Sequence, residues 1–258
     1  MTALRSIIMA FSLFSRIPMP MVDWSERNRR YMMAAFPAVG ALIGACLWAW
    51  WQLCATLGFG VTLRSAGLTL IPLAITGGMH LDGLADVIDA RSSYAEPAKR
   101  REILKDPHVG AFAVMGISAY LIAQFALFTE LDARYLVSLA CAPIISRCLS
   151  GYATVTFKKA SSDGMLAAEG STDARAAVRS ILLGICGLVA AVMVVCDGLV
   201  GAAAVVVAVA ELMWVRRIAE REFGGMSGDL AGYYLQMAEL LMLVCIVFLG
   251  RLGTPWFW

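Results

Sequence analysis

Apolar residues run in long stretches along this chain, separated by short polar segments. A helix needs roughly 20 apolar residues to cross a hydrocarbon core of about 30 Å. Such stretches fall at residues 32–56, 65–80, 109–129, 135–154, 180–196, 198–216 and 231–250, the second and fifth being short. The apolar run from 181 to 215 is too long for one helix. Asp197-Gly198, a charge beside a flexible residue, marks the turn that divides it. The pattern therefore predicts an all-α polytopic membrane protein with seven spans. Residues 3–16 hold a short apolar stretch between Arg5 and Arg16, with Pro18 and Pro20 behind it and no small-residue cleavage site. They predict an amphipathic or re-entrant N-terminal helix rather than a span or a signal peptide.

Composition agrees. Of 258 residues, 60% are apolar and 16% charged, against about 25% charged in ordinary soluble domains. Mean hydropathy is +0.75. One membrane-embedded unit over residues 1–258 is expected. A formal net charge of +2 is too small to point to nucleic acid. The seven cysteines lie in or beside apolar runs, with no CxxC pair and no Cys/His ligand spacing. They read as small packing residues, not as disulfides or a zinc site.

The placement of charge matters more than its sum. Arg5, Arg16, Arg27, Arg29 and Arg30 precede the first span. Arg91, Lys99, Arg100, Arg101 and Lys105 follow the second. Lys158, Lys159, Arg175 and Arg179 follow the fourth, and Arg216, Arg217 and Arg221 the sixth. Seventeen of the 21 basic residues thus share one side of a seven-span chain. Arg64, Arg134 and Arg251 take the other side, and Arg147 sits within a span. The positive-inside rule makes the crowded side cytoplasmic. The N-terminus is then expected inside a bacterial inner membrane and the C-terminus in the periplasm. The final Thr254-Pro255-Trp256-Phe257-Trp258 would form an aromatic belt. The polar length lies in loops 81–108, 155–179 and 217–230, so the work of the protein is expected on that face.

The strongest chemical signal is the segment Thr76-Gly77-Gly78-Met79-His80-Leu81-Asp82-Gly83-Leu84-Ala85-Asp86-Val87-Ile88-Asp89. Spacing of i, i+4, i+7 puts Asp82, Asp86 and Asp89 on one helix face. Like charges so placed repel, and a divalent cation is the natural answer. Carboxylates suit Mg²⁺ or Mn²⁺, and Mg²⁺ commonly binds a few carboxylates plus substrate phosphates. Gly77, Gly78 and Gly83 allow close approach of backbone and ligand. The plainer alternative is a solvated acidic helix end paired with Arg91, Arg100 and Arg101. His80 could serve as base, ligand or structural residue.

Two further groups are expected at the same face. Arg101 to Gly110 contains Lys105 and Arg101, which could meet phosphate, and Asp106-Pro107-His108, where Asp106 could be a helix cap. Gly224 to Glu239 runs a glycine-rich turn through Gly228 and Asp229 into a helix start, a good place for phosphate. Asp229, Gly232, Gln236 and Glu239 share a face there. Glu239 lies inside the last span, and Arg147 is its candidate partner. Carboxylates, basic residues and glycine-rich helix starts together suit transfer at a phosphate or diphosphate centre.

At these residues the chain resembles the cobalamin synthase family, the adenosylcobinamide-GDP ribazoletransferases. The resemblance covers nearly the whole length. It rests on Phe14-Ser15-Arg16-Ile17-Pro18-Met19-Pro20, Phe36-Pro37-Ala38-Val39-Gly40, TGGMHLDGLAD, KDPHVGAF, Ala142-Pro143-Ile144-Ile145-Ser146-Arg147 and GGMSGDLAG. The resemblance implies a Mg²⁺-dependent enzyme of late vitamin B12 assembly. It would join adenosylcobinamide-GDP to α-ribazole or its 5′-phosphate and release GMP, with Mn²⁺ as a possible substitute. It implies Asp82 and Asp86 as leading metal ligands, then Asp89 and Asp229. His80 and Asp106 are the candidate bases. Gly77, Gly78, Arg16, Lys105, His108, Arg147, Gly228 and Glu239 are candidate substrate contacts. A homo-oligomer or a complex with other corrin-assembly enzymes is possible. Two places depart from the family pattern: Pro107-His108 stands for Ser-Arg, and Gln236 for a glutamate. Asp163-Gly164 fits the family's third cytoplasmic loop.

Two other readings stay open. A CDP-alcohol phosphatidyltransferase also spaces aspartates at a membrane face, but Asp86 stands where its DG-x₂-AR motif needs arginine. A transporter would use Arg147, Glu211 and Glu239 as a midplane relay.

Overall fold

The computed structural model describes residues 2–160 and 172–252, so Asp163-Gly164 and the aromatic residues at 254–258 lie outside the described residues. Among the described residues ten α-helices follow in order: α1 Thr2–Phe14, α2 Glu26–Arg29, α3 Met32–Leu57, α4 Val61–Thr76, α5 Met79–Ser92, α6 Pro97–Ile103, α7 Ala111–Glu130, α8 Leu136–Thr156, α9 Thr172–Ile218 and α10 Gly228–Leu252. Among the described residues there is no strand, only an isolated bridge between Lys159 and Met226. The protein is all-α and polytopic. Five helices are long and apolar enough to cross a membrane, or six if α4 and α5 together count as one span.

That count differs from the expected seven for two local reasons. The first is the α4–α5 bend. Gly77 and Gly78 both take left-handed φ, 68° and 84°, which only glycine adopts without strain. α4 ends there, and α5 restarts at 95° to it. The segment 81–108, expected as a loop, instead holds α5 and α6. α5 helps bury itself through Leu84, Val87 and Ala90. We read α4 as the membrane-directed half of the pair and α5 as lying across the starts of α7 and α10, outside the spanning stretch. The second reason is α9, one long apolar element broken at Gly198 (φ 57°, ψ −129°). A Cβ on Gly201 would run into the carbonyl of Met193, a residue that a straight helix would hold about 12 Å away. The chain therefore doubles back at the expected Asp197-Gly198 turn. Asp197 Oδ2 accepts the Ser138 N–H at 2.8 Å, capping the first turn of α8.

α8 is the centre of the bundle and packs on α3, α9 and α10. Gly40 and Gly44 of α3 lie directly on the backbone of α8, Gly40 at Pro143 and Gly44 at Ala140. The order is antiparallel. Small residues of this kind let membrane helices approach until backbones touch.

Contacts sort the chain into two ends. At one end the Arg16 N–H donates to Ile75 at 2.8 Å, and Met226 and Lys158 bond backbone to backbone at 2.7 Å. Arg91 pairs with Glu222 there at 3.2 Å, and Arg100 pairs with the same carboxylate. At the other end Arg251 pairs with Glu130 at 2.6 Å, and Trp50 donates to the Arg64 carbonyl at 2.9 Å. The segments grouped by charge counting fall at the same two ends.

Candidate functional site

The site forms where α5 crosses α10. A Cβ on Gly83 would lie 2.8 Å from the Asp229 carbonyl oxygen, and one on Gly232 would lie 3.1 Å from the His80 carbonyl oxygen. Glycine at both positions lets the backbones touch, which brings Asp82, Asp86 and Asp229 into one neighbourhood. Asp82 is exposed, while Asp86 and Asp229 are half-buried. The Asp86 carboxyl is pushed up to about 6, first by burial and then by the charges of Asp82, Asp229 and Asp89. Ser227 Oγ accepts the Leu230 N–H at 3.2 Å and lies 3.4 Å from Asp229 Oδ2, so it both starts α10 and steadies that carboxylate.

A cavity of about 290 Å³ opens beside the crossing. α1 lines it with Leu13 and Phe14, α3 with Met33 and Phe36, and α8 with Ser150 and Thr154. Met79, His80, Asp82, Gly228, Asp229, Ala231 and Gly232 complete the wall. His80 is buried, its Nδ1 has no hydrogen-bond partner, and its ring packs against Phe14 and Phe36.

The remaining expected site residues divide. Asp89 is turned away from the row that its spacing suggests. Its two oxygens accept the N–H groups of Gly110 at 2.7 Å and Ala113 at 2.8 Å. It caps α7, whose own N-cap, Gly110, has no side chain for the task. Gly77 carries the aliphatic stem of exposed Arg16 against its Cα, so Arg16 lies over the α4–α5 bend. Gly78 completes that bend. Lys105, Asp106 and His108 are exposed between α6 and α7 and do not line the cavity. His108 donates to Asp106 through both ring and backbone at 2.6 and 3.0 Å, holding that carboxyl below its usual range.

Arg147 and Glu239 are buried inside the bundle rather than on the cavity wall. Arg147 Nη1 reaches Glu239 Oε1 at 2.7 Å and the Pro143 carbonyl at 3.0 Å. Ser146 Oγ donates to the same carboxylate at 2.7 Å. Gln236, one turn earlier on α10, accepts from Tyr120 at 2.7 Å. Arg147 and Glu239 of the transporter reading are thus paired with each other, while Arg147 Nε and, on the buried third member Glu211, Oε1 have no hydrogen-bond partner. Of the three arginines in the acidic-end alternative, Arg91 and Arg100 pair with Glu222 instead. Sequence reasoning gave no role to Phe14, Met33, Phe36, Ser150 or Thr154. The one available signal was that Phe14 and Phe36 open two of the motif segments.

The chain is thus a polytopic helical membrane protein with Asp82 and Asp229 lining a small cavity at one end of its bundle. Residues 6–247 match the family described as cobalamin-5-phosphate synthase, and the chain belongs to that family. It is 36% identical over 245 residues to an adenosylcobinamide-GDP ribazoletransferase of Lachnoclostridium phytofermentans, covering 95% of this chain and 94% of that one. It is 33% identical to the protein of the same name from Clostridium botulinum, covering 92% and 94%. The one from Geobacillus kaustophilus is also 33% identical, with 91% and 92% covered. No solved structure matches the chain.

Proposed function

We propose that this chain joins adenosylcobinamide-GDP to α-ribazole, or to its 5′-phosphate, yielding the adenosylcobalamin product and GMP. The observation that carries this reading is the cavity beside Asp82 and Asp229, in a chain of this family. The ribose hydroxyl oxygen bonds to the phosphorus carried by the cobinamide, and the bond from that phosphorus to the GMP oxygen breaks. The hydroxyl proton is released on the side where Asp82 is open to water.

The donor set fits Mg²⁺, or Mn²⁺ in its place. Asp82, Asp86 and Asp229 offer hard oxygen ligands from two touching helices, while Asp89 is committed to α7. Among the described residues no group of three or more His, Cys, Asp or Glu side chains is placed to hold a metal ion by itself, so an ion here would need substrate oxygens and water to complete its coordination. A bound ion would supply charge neutralisation for the diphosphate oxygens and the departing GMP. Asp82, Asp86 and Asp229 would hold it, while the cavity wall orients the acceptor. Of the two candidate bases, His80 lines the cavity and Asp106 does not.

The site faces the cytoplasm of a bacterial inner membrane in this reading. The crowding of basic residues at the aspartate-bearing end supports it. Counting α4 and both arms of α9 as crossings gives seven and places the end of α10 outside. The test is GMP release from purified protein in lipid nanodiscs with adenosylcobinamide-GDP, α-ribazole and Mg²⁺. Release coupled to adenosylcobalamin formation is expected. No release from folded protein would refute the reading.

A further inference from the structure

We infer that the cavity is the acceptor subsite and takes the flat, largely apolar bicyclic base of the nucleoside, inserted base-first with its ribose toward Asp82 and Asp229. The inference rests on the transfer reading above and assigns one of its two substrates to a place.

Size is the first argument. A cavity of about 290 Å³ lies at the small end of ligand pockets, which run from roughly 300 to 1,000 Å³. It suits one nucleoside. A corrin macrocycle with its nucleotide tail is several times larger and must lie outside it.

Lining chemistry is the second. Phe14 and Phe36 meet at 4.1 Å between ring centroids, and the His80 ring lies 6.2 and 5.8 Å from them. Met33, Met79 and Leu13 add soft apolar surface. A guanine offers several donors and acceptors on its edge and needs as many partners. The two hydroxyls here donate elsewhere, Ser150 to the Ala231 carbonyl at 3.3 Å and Thr154 to the Ser150 carbonyl at 2.9 Å, and the carboxylates Asp82 and Asp229 accept at the open end without donating to a guanine's acceptors. A benzimidazole base offers no donor and one acceptor, its free ring nitrogen. The cavity wall includes His80, and no hydrogen bond fixes its ring at Nδ1, which is buried without a partner. The neutral imidazole carries one N–H, and through it the His80 ring donates to the free nitrogen of the base.

Polarity along the cavity sets the direction. His80 is 6% exposed, whereas Asp82 is open to water. The base therefore lies at the aromatic end and the ribose hydroxyls at the carboxylate end, where the phosphorus must arrive. His80 is then a recognition residue rather than the base that removes the hydroxyl proton.

The test measures binding of α-ribazole to the purified full chain in nanodiscs, read by the fluorescence of its own base. An analogue with indole replacing benzimidazole keeps the shape and removes the acceptor nitrogen, so it probes the contact without altering the protein. Wild type should bind the indole riboside about tenfold more weakly than α-ribazole, the scale of one buried hydrogen bond. His80→Gln should weaken α-ribazole by a similar factor and leave the indole riboside unchanged. Phe36→Leu should raise the KM for α-ribazole while the KM for adenosylcobinamide-GDP stays within about twofold. Displacement of α-ribazole by GDP, or variants that raise only the donor's KM, would overturn the assignment. So would equal binding of the two ribosides by wild type. Binding as described without GMP release would sink the transfer reading and leave the subsite standing. GMP release with only the donor's KM altered would do the reverse.

Discussion

Gly83 and Asp229 touch: a Cβ on the glycine would sit 2.8 Å from the aspartate's carbonyl oxygen and 3.0 Å from its Cα. That contact sets how near Asp82 and Asp86 of α5 come to Asp229 of α10. Gly83→Val should force the helices apart at a cost of about 1–3 kcal/mol, the usual range for overpacking. Turnover should fall much further than stability, because the carboxylates separate. Comparing GMP release with the melting temperature in nanodiscs checks this. A variant that melts normally and turns over normally would show that the crossing does not position the site.

The three aspartates of α5 should behave differently when replaced. Asp82→Asn and Asp86→Asn should each lower turnover by at least about 100-fold, as loss of a charged contact to a reacting phosphate commonly does. Both should insert normally, since neither carboxylate is needed to pack α5. Asp89→Ala should instead destabilise the fold by about 0.5–2 kcal/mol, the range for a lost helix cap, through the freed N–H groups of Gly110 and Ala113. Its turnover per folded molecule should exceed that of the other two. Equal catalytic loss in all three variants would return Asp89 to the metal-binding row.

Much of this arrangement was legible in the sequence, and the rest was hidden for identifiable reasons. Long-range contacts such as Arg91–Glu222 and Met226–Lys158 join segments that charge counting had already grouped. The turn at Gly198 and the Arg147–Glu239 pair were likewise readable, because a charge in an apolar run needs either water or a partner. The role of Asp89 was not readable. Its partners sit on α7, and spacing along one helix says nothing about the next. The cavity was hidden for the same reason. Phe14 and Phe36 read as ordinary apolar residues until α1 and α3 bring their rings onto His80.

Metal binding can be followed apart from turnover. An ion that binds the folded chain and not the unfolded one raises its stability by mass action. Mg²⁺ should therefore raise the melting temperature of the wild-type protein, and EDTA should reverse the rise. Asp82→Asn and Asp86→Asn should show a smaller rise or none. A Mg²⁺-induced shift of the same size in both variants would place the ion elsewhere.

The Arg147–Glu239 pair offers the sharpest separation of structure from chemistry. Arg147 is 1% and Glu239 11% exposed at the side chain, and Ser146 shares the same carboxylate oxygen. Removing one member of a buried pair leaves the other charge without compensation and costs about 3–5 kcal/mol. Arg147→Met and Glu239→Leu should each lower the melting temperature sharply. The double variant should recover most of the loss, because two apolar side chains of similar volume suit an apolar bundle at least as well as an ion pair. If the pair only supports the fold, the double variant should also keep an unchanged KM for α-ribazole, since neither residue lines the cavity. A double variant that melts normally but loses turnover would instead make the pair part of the reaction.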